Sequence, residues 1–119
     1  MKNEIPITID LSYLHSVTGG DKEFEKQLLS SAVNDIDTKV DNLKKAWQNQ
    51  DALNVKSNAH SLKSLTAIAG IPQIERWSKL VDQMFLDELF ITKKTEPVND
   101  IIKGWSFIRP QLYKLIAAY

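Results

Sequence analysis

The sequence predicts an all-α protein, an antiparallel four-helix bundle with a short additional N-terminal helix. Three observations predict it. Apolar residues recur every three to four positions along four long stretches, no stretch alternates usefully with period two, and capping residues divide the stretches at short intervals. At 119 residues the chain suits a single domain spanning 1–119, and 43% hydrophobic residues is enough for a real core.

The elements follow in order. In "ITIDLSYLHSVTGGD" a short first helix begins near Asp10 as N-cap and stops at Gly19-Gly20, where glycine tolerates the left-handed conformation that closes helices. Asp21 caps a long second helix. Its stripe runs Phe24, Leu28, Ala32, Ile36, Val40, Leu43 and Trp47, widened by Leu29 and Val33. Asp51 caps a third helix that runs to Ala69 and is closed by Gly70. Pro72 suits the first turn of a fourth helix, because its missing N–H would be unpaired there anyway. That helix carries Ile74, Trp77, Val81 and Met84, with Leu80 and Phe85 beside them. "DELFITKKTEP" reads as a loop with some buried apolar content. Pro97 opens the last helix, striped by Val98, Ile101, Trp105, Ile108, Leu112, Leu115 and Tyr119, and Pro110 inside it predicts a kink.

Composition narrows the function. Fifteen basic residues balance fifteen acidic ones, so nothing calls for nucleic acid. The absence of cysteine excludes disulfides and thiolate metal sites and fits a reducing compartment. No leader is visible in "MKNEIPITIDLS" and no run is long and apolar enough to span a membrane, so a cytoplasmic location is expected. There is no G-x-x-x-x-G-K-[ST] loop and no H-E-x-x-H. The di-iron pattern Glu-x-x-His fails at both histidines, because Ser12 and Ser57 stand three residues before His15 and His60. No metal site is expected on the chain, and His15, with Leu11 and Leu14 nearby, reads as a structural or surface residue.

"NAHSLKSLTAIAG", residues 58–70, is the informative stretch. At roughly 100° per residue, Val55, Ala59, Leu62, Thr66 and Ala69 share the side opposite His60 and must face the bundle. Lys56, Lys63, Ser64, Ala67 and Ile71 share the side of His60, which therefore points to solvent. Small side chains beside one protruding imidazole leave a flat strip that a partner can approach closely, and Lys63 can stabilise negative charge beside the ring.

"AHSLKSLTAIAGIPQI" resembles the histidine-containing phosphotransfer (HPt) domain of multistep phosphorelays, whose pattern is approximately A-H-x-L-K-G followed by a glycine ten positions after the histidine. Ala59, His60, Leu62, Lys63 and Gly70 match in place, and "GGDKEFEKQLL" looks like the family's approach to its second helix. The resemblance covers nearly the whole chain, the last helix being generic. It departs at Ser64, where the family usually has glycine, which affects how closely a partner's backbone approaches. The family's glutamine or glutamate on the fourth helix falls by position at Asp82, with Gln83 adjacent.

The resemblance implies a phosphorelay intermediate. His60 would accept a phosphoryl group from the aspartyl phosphate of a receiver domain and pass it to another receiver, with Lys63 stabilising the added charge and Lys56 a second candidate for that role. Mg2+ is expected on the receiver and no cofactor on this chain. The partners implied are a hybrid histidine kinase and a downstream regulator. The chain is then a carrier without kinase activity of its own, expected as a freestanding monomer, an excised domain of a hybrid kinase being the alternative. The docking face would carry Ile68 and Ile71 partly exposed, although Ile68 packing under the loop before Pro72 is an equal reading. Two other readings stay open: a non-catalytic helical adaptor using the same face, and a histidine domain phosphorylated in trans by a chemotaxis-type kinase.

Overall fold

The structure is a computed structural model that describes residues 7–90 and 96–119; residues 1–6 and, within the predicted loop, residues 91–95 lie outside it. Its elements are α1 (Ser12–Thr18), α2 (Lys22–Gln48), α3 (Ala52–Ala69), α4 (Pro72–Gln83), a single 3-10 turn (Leu86–Glu88) and α5 (Glu96–Ala117), with no strand among the described residues. α2 packs on α3, α3 on α4, α4 on α5 and α5 back on α2, which closes the four-helix bundle; α1 lies across α2 and α3. The connections from α2 to α3 and from α3 to α4 are too short for anything but antiparallel neighbours.

The caps show why the chain turns where it does. The Asp21 carboxylate accepts the Phe24 N–H at 3.1 Å and the Asp51 carboxylate accepts the Asn54 N–H at 3.2 Å, each satisfying a donor that the helix itself cannot. Asp10 acts differently from the expectation. Leu11 occupies the cap position of α1, while the Asp10 side chain accepts from the Ser12 N–H and hydroxyl, which holds its carboxyl below the usual range. The Asp10 backbone N–H instead donates to the Gly70 carbonyl at 2.7 Å and fastens the N-terminal segment to the end of α3.

The core holds Leu14 of α1, Leu29, Ile36 and Leu43 of α2, Leu62 of α3, Ile74 of α4 and Ile101, Ile108 and Leu112 of α5, all fully buried. The predicted stripe of α2 is correct from Ala32 to Leu43 and drifts before it. Phe24 is 47% exposed and Leu28 half-buried, while Glu25 and Leu29 face inward. The reason is geometric: each step of four residues overshoots a 3.6-residue turn by about 40°, so three steps back from Ile36 leave the core face altogether. α4 shows a similar shift, with Ser78 buried beside Ile74 and Val81 while Leu80 and Phe85 are exposed. After the 3-10 turn Leu89 is fully buried and Phe90 stacks on Trp47 at 5.0 Å, which is the buried apolar content expected of that stretch. α5 runs unbroken through Pro110; Ser106, whose carbonyl loses its partner there, is exposed and can meet water instead.

Glu25 is the one fully buried carboxylate among the described residues. It accepts the Tyr119 hydroxyl at 2.7 Å, the His15 Nδ1–H at 2.7 Å and the Thr18 hydroxyl at 3.2 Å, so α1, α2 and the end of the chain meet on one side chain. Such donors make a buried carboxylate tolerable. The Tyr119 hydrogen bond leads in keeping the Glu25 carboxyl below its usual range, while partial burial and the neighbouring carboxylate push the Tyr119 phenol up to about 12. A phenol raised in the folded state adds stability that is complete below its ordinary value near 10 and is lost as pH rises through the folded value. Thermal denaturation is therefore expected to show the wild-type chain losing stability relative to Tyr119→Phe between pH 10 and about 12. Parallel curves for the two proteins over that range would remove Tyr119 from the cluster.

Candidate functional site

α3 places His60 where its wheel predicts. Val55, Ala59, Leu62, Thr66 and Ala69 are all fully buried, and Thr66 satisfies its hydroxyl by donating to the Leu62 carbonyl at 2.6 Å. The His60 side chain, on the opposite side, is 70% exposed. Lys63 and Asp82 approach it, the first from the next turn of α3 and the second from α4. A single oxygen of Asp82, Oδ2, lies 3.2 Å from His60 Nδ1 and 2.6 Å from Lys63 Nζ.

The electrostatics follow from that shared oxygen. The Lys63 hydrogen bond, and after it that of His60, hold the Asp82 carboxyl below its usual range despite partial burial, which acts in the opposite sense. Asp82 is thus ionised at neutral pH, and an ionised carboxylate can only accept. The proton between the two side chains therefore belongs to His60 Nδ1. A neutral ring with its proton on Nδ1 has its lone pair on Nε2, the nitrogen that Asp82 does not occupy. The arrangement is a nucleophilic nitrogen on a solvent-exposed helix face, with an anchored ring and an ammonium beside it.

The other candidate residues divide into groups. Ser64 is exposed and Ala67 half-buried, so the strip beyond the ring is low; the Ser64 hydroxyl turns back toward the Ser61 carbonyl at 3.4 Å. Lys56 donates to the Met84 backbone carbonyl, which ties the end of α4 to α3 rather than leaving the ammonium free beside His60. Gln83 is exposed, and Asp82 is the residue that meets the ring. Gly70 ends α3 in the left-handed conformation with φ 73° and is buried beneath Asp10.

Ile68 is half-buried, whereas Ile71 is fully buried, contrary to the exposed docking position expected for it. The wheel of α3 does not extend to Ile71: the helix stops at Ala69, and Gly70 redirects the chain so that Ile71 turns into the core. Residues that sequence reasoning did not connect with the site are Asp10, which clamps Gly70, and Met84, whose carbonyl anchors Lys56. Both act through backbone atoms, which leave no side-chain signature to read. Among the described residues no group of three or more histidine, aspartate or glutamate side chains could hold a metal ion. No helix there is long and apolar enough to cross a membrane.

The sequence matches no protein-family model and no curated protein. Among solved structures, the chain is similar to histidine-containing phosphotransfer protein B (HptB) from Pseudomonas aeruginosa PAO1, with a TM-score of 0.77 at 18% identity over 93% of this chain and 96% of that one. The fold is thus that of a histidine-phosphotransfer protein, and the all-helical bundle built above is its architecture.

Proposed function

We propose that the chain is a phosphorelay carrier in which His60 accepts a phosphoryl group from the aspartyl phosphate of one receiver domain and yields it to another. The observation that carries this reading is the His60–Asp82–Lys63 cluster on the exposed face of α3, in a chain with the fold of a histidine-phosphotransfer protein.

The transfer balances on the groups present. The His60 Nε2 lone pair attacks phosphorus, the N–P bond forms, the P–O bond to the receiver's aspartate breaks, and its electron pair returns to that carboxylate. The Nδ1 proton stays on the ring against Asp82, whose negative charge offsets the cationic character the imidazole acquires. Onward transfer is the reverse, with the N–P electron pair returning to Nε2 as a second receiver's carboxylate takes the phosphoryl group. Phosphoryl transfer relies on position and charge stabilisation more than on covalent help from the protein, and Lys63 supplies positive charge within one helical turn of the acceptor. Mg2+ belongs to the receiver's aspartyl site in this scheme, and this chain contributes no ligand to it. The partners that suit it are the receiver of a hybrid histidine kinase and that of a downstream regulator.

The experiment is transfer from receiver domains charged with a small-molecule phosphodonor. The wild-type chain is expected to acquire acid-labile, base-stable label, and His60→Gln to acquire none. Label that persists in the variant would move the acceptor elsewhere. A wild-type chain left unlabelled by every receiver but labelled by a chemotaxis-type kinase with ATP would change the donor. A chain unlabelled by both would leave an adaptor.

A further inference from the structure

Among the described residues, Ser78 alone buries a side-chain polar atom without a hydrogen-bond partner. A hydroxyl in that state costs stability, and neighbouring core positions of α4 hold isoleucine and valine instead. Where Ser78 stands in the bundle accounts for a side chain of its size. Three contacts set the register of α4 against α3: Asp82 with His60, Asp82 with Lys63, and the Met84 carbonyl with Lys56. The two helices are antiparallel, so one turn back from Asp82 is one turn toward the C-terminus of α3. That step brings Ser78, within about 40° of the direction of Asp82, to the level of Thr66.

Ala59 and Thr66, both fully buried, lie within about 60° of Lys63 on α3 and so on the side that faces α4. Small side chains therefore meet small ones between the two helices. Helix axes approach to about 8–10 Å depending on the side chains between them, and small ones bring them to the near end of that range. Asp82 needs that closeness. An aspartate reaches out by a single methylene, yet one of its oxygens meets two side chains of α3, at 3.2 and 2.6 Å. The other flank of α4 leaves no slack, because a Cβ at Gly104 of α5 would lie 2.9 Å from the Trp77 ring and 3.6 Å from Ile74. A larger side chain at position 78 is then taken up by lifting or turning α4 on α3, and Asp82, one turn along, moves with it.

We infer that Ser78 is a positioning residue for the phosphoacceptor: its small size sets the α3–α4 spacing at which the short Asp82 carboxylate holds the Nδ1 proton of His60. The consequence for transfer rests on the carrier reading above, whereas the spacing itself is measurable without a receiver. A compensating pair follows from it. Enlarging residue 78 moves the carboxylate away from the ring, and lengthening residue 82 brings it back.

The test compares wild type, Ser78→Val, Asp82→Glu and the double variant Ser78→Val/Asp82→Glu, each checked for folding by circular dichroism. Nitrogen shifts of the His60 ring, measured above the ordinary imidazole pKa of about 6.5, report the share of rings protonated on Nδ1. Ser78→Val is expected to lower that share and to slow receiver-driven labelling about tenfold or more, since a displacement of about 1 Å can cost up to about 10²-fold. Asp82→Glu alone is expected to slow labelling a few-fold, its carboxylate being too long for the wild-type gap. In the double variant the longer carboxylate is expected to restore the Nδ1 share and most of the rate lost by Ser78→Val. Losses that multiply, with Asp82→Glu equally harmful beside serine and beside valine, would reduce Ser78 to a packing residue and overturn the assignment. Asp82→Glu equal to the wild type in both readouts would overturn it too, even if Ser78→Val fails to fold. Ser78→Ala, which keeps the position small and discards the hydroxyl, is expected to melt no lower than the wild type; a lower Tm would show that the hydroxyl, not the size, is what the position uses. A wild type that no receiver labels, with the Nδ1 pattern as expected across the set, would overturn the carrier and keep the spacing.

Discussion

Gly70→Ala is expected to cost about 3–5 kcal/mol of stability and to lower the Tm by roughly 10–25 °C. Two effects add at this position. Gly70 holds φ at 73°, a conformation that a side chain resists. A Cβ there would also lie 2.1 Å from the Asp10 carbonyl oxygen, a backbone atom that cannot swing aside. The N-terminal segment must then move and give up the Asp10 N–H to Gly70 carbonyl bond. Gly20→Ala is the control, because Gly20 has φ 84° but nothing within 4 Å of its added Cβ. Urea denaturation of the two variants separates strain from collision: Gly20→Ala should lose only about 1 kcal/mol, the cost of the left-handed backbone alone. Equal losses in the two would rule out the clash with Asp10.

Asp82→Asn is expected to slow phosphoryl acceptance by about 10²–10³-fold while leaving the fold intact. The amide keeps the size of the carboxylate but not its charge or its strictly accepting character. It can present an N–H to His60 Nδ1, which would shift the ring proton to Nε2 and remove the nucleophilic lone pair from the exposed nitrogen. Lys63 also loses its ionic partner. Transfer kinetics measured with one receiver, together with ring nitrogen shifts that report the tautomer, check this. An unchanged rate with the proton still on Nδ1 would show that the charge of Asp82 is not needed. The acid limb of stability offers a second readout. Because the folded-state Asp82 carboxyl lies below its ordinary 3.8, its contribution is complete above that value and fades as pH falls through the folded range. Asp82→Asn should lack that portion of the acid limb.

The orientation of α3 was legible because its core side is unambiguous: Val55, Ala59, Leu62, Thr66 and Ala69 are small or apolar at helical spacing, which leaves His60 only the solvent side. The same wheel failed one residue past its end. Ile71 shares the His60 direction only if the helix continues, and Gly70 stops it. The first turns of α2 failed for a different reason, since steps of four drift off the face and Phe24 was carried with them. The choice between Asp82 and Gln83 depended on how α4 is rotated against α3, and one residue is about 100°. Packing of Ile74, Ser78 and Val81 fixes that rotation, and the buried Ser78 disguises the stripe. Lys56 shows what composition cannot convey: a basic residue one turn from the imidazole is occupied by a backbone carbonyl on another helix.

In the proposed relay, phosphoryl chemistry occurs on one nitrogen of one histidine. His15 provides an internal comparison, since its Nδ1 also meets a carboxylate, 2.7 Å away on Glu25. There the carboxylate is fully buried and shared with Tyr119 and Thr18, in a junction that serves the fold. The most direct measurement is heteronuclear NMR of the chain after phosphorylation by a receiver, with 15N-labelled histidine and observation of 31P coupling. Phosphorus is expected on His60 Nε2, with the His60 Nδ1 proton retained and His15 unchanged. Phosphorus on His60 Nδ1, on His15 or on any oxygen would contradict it.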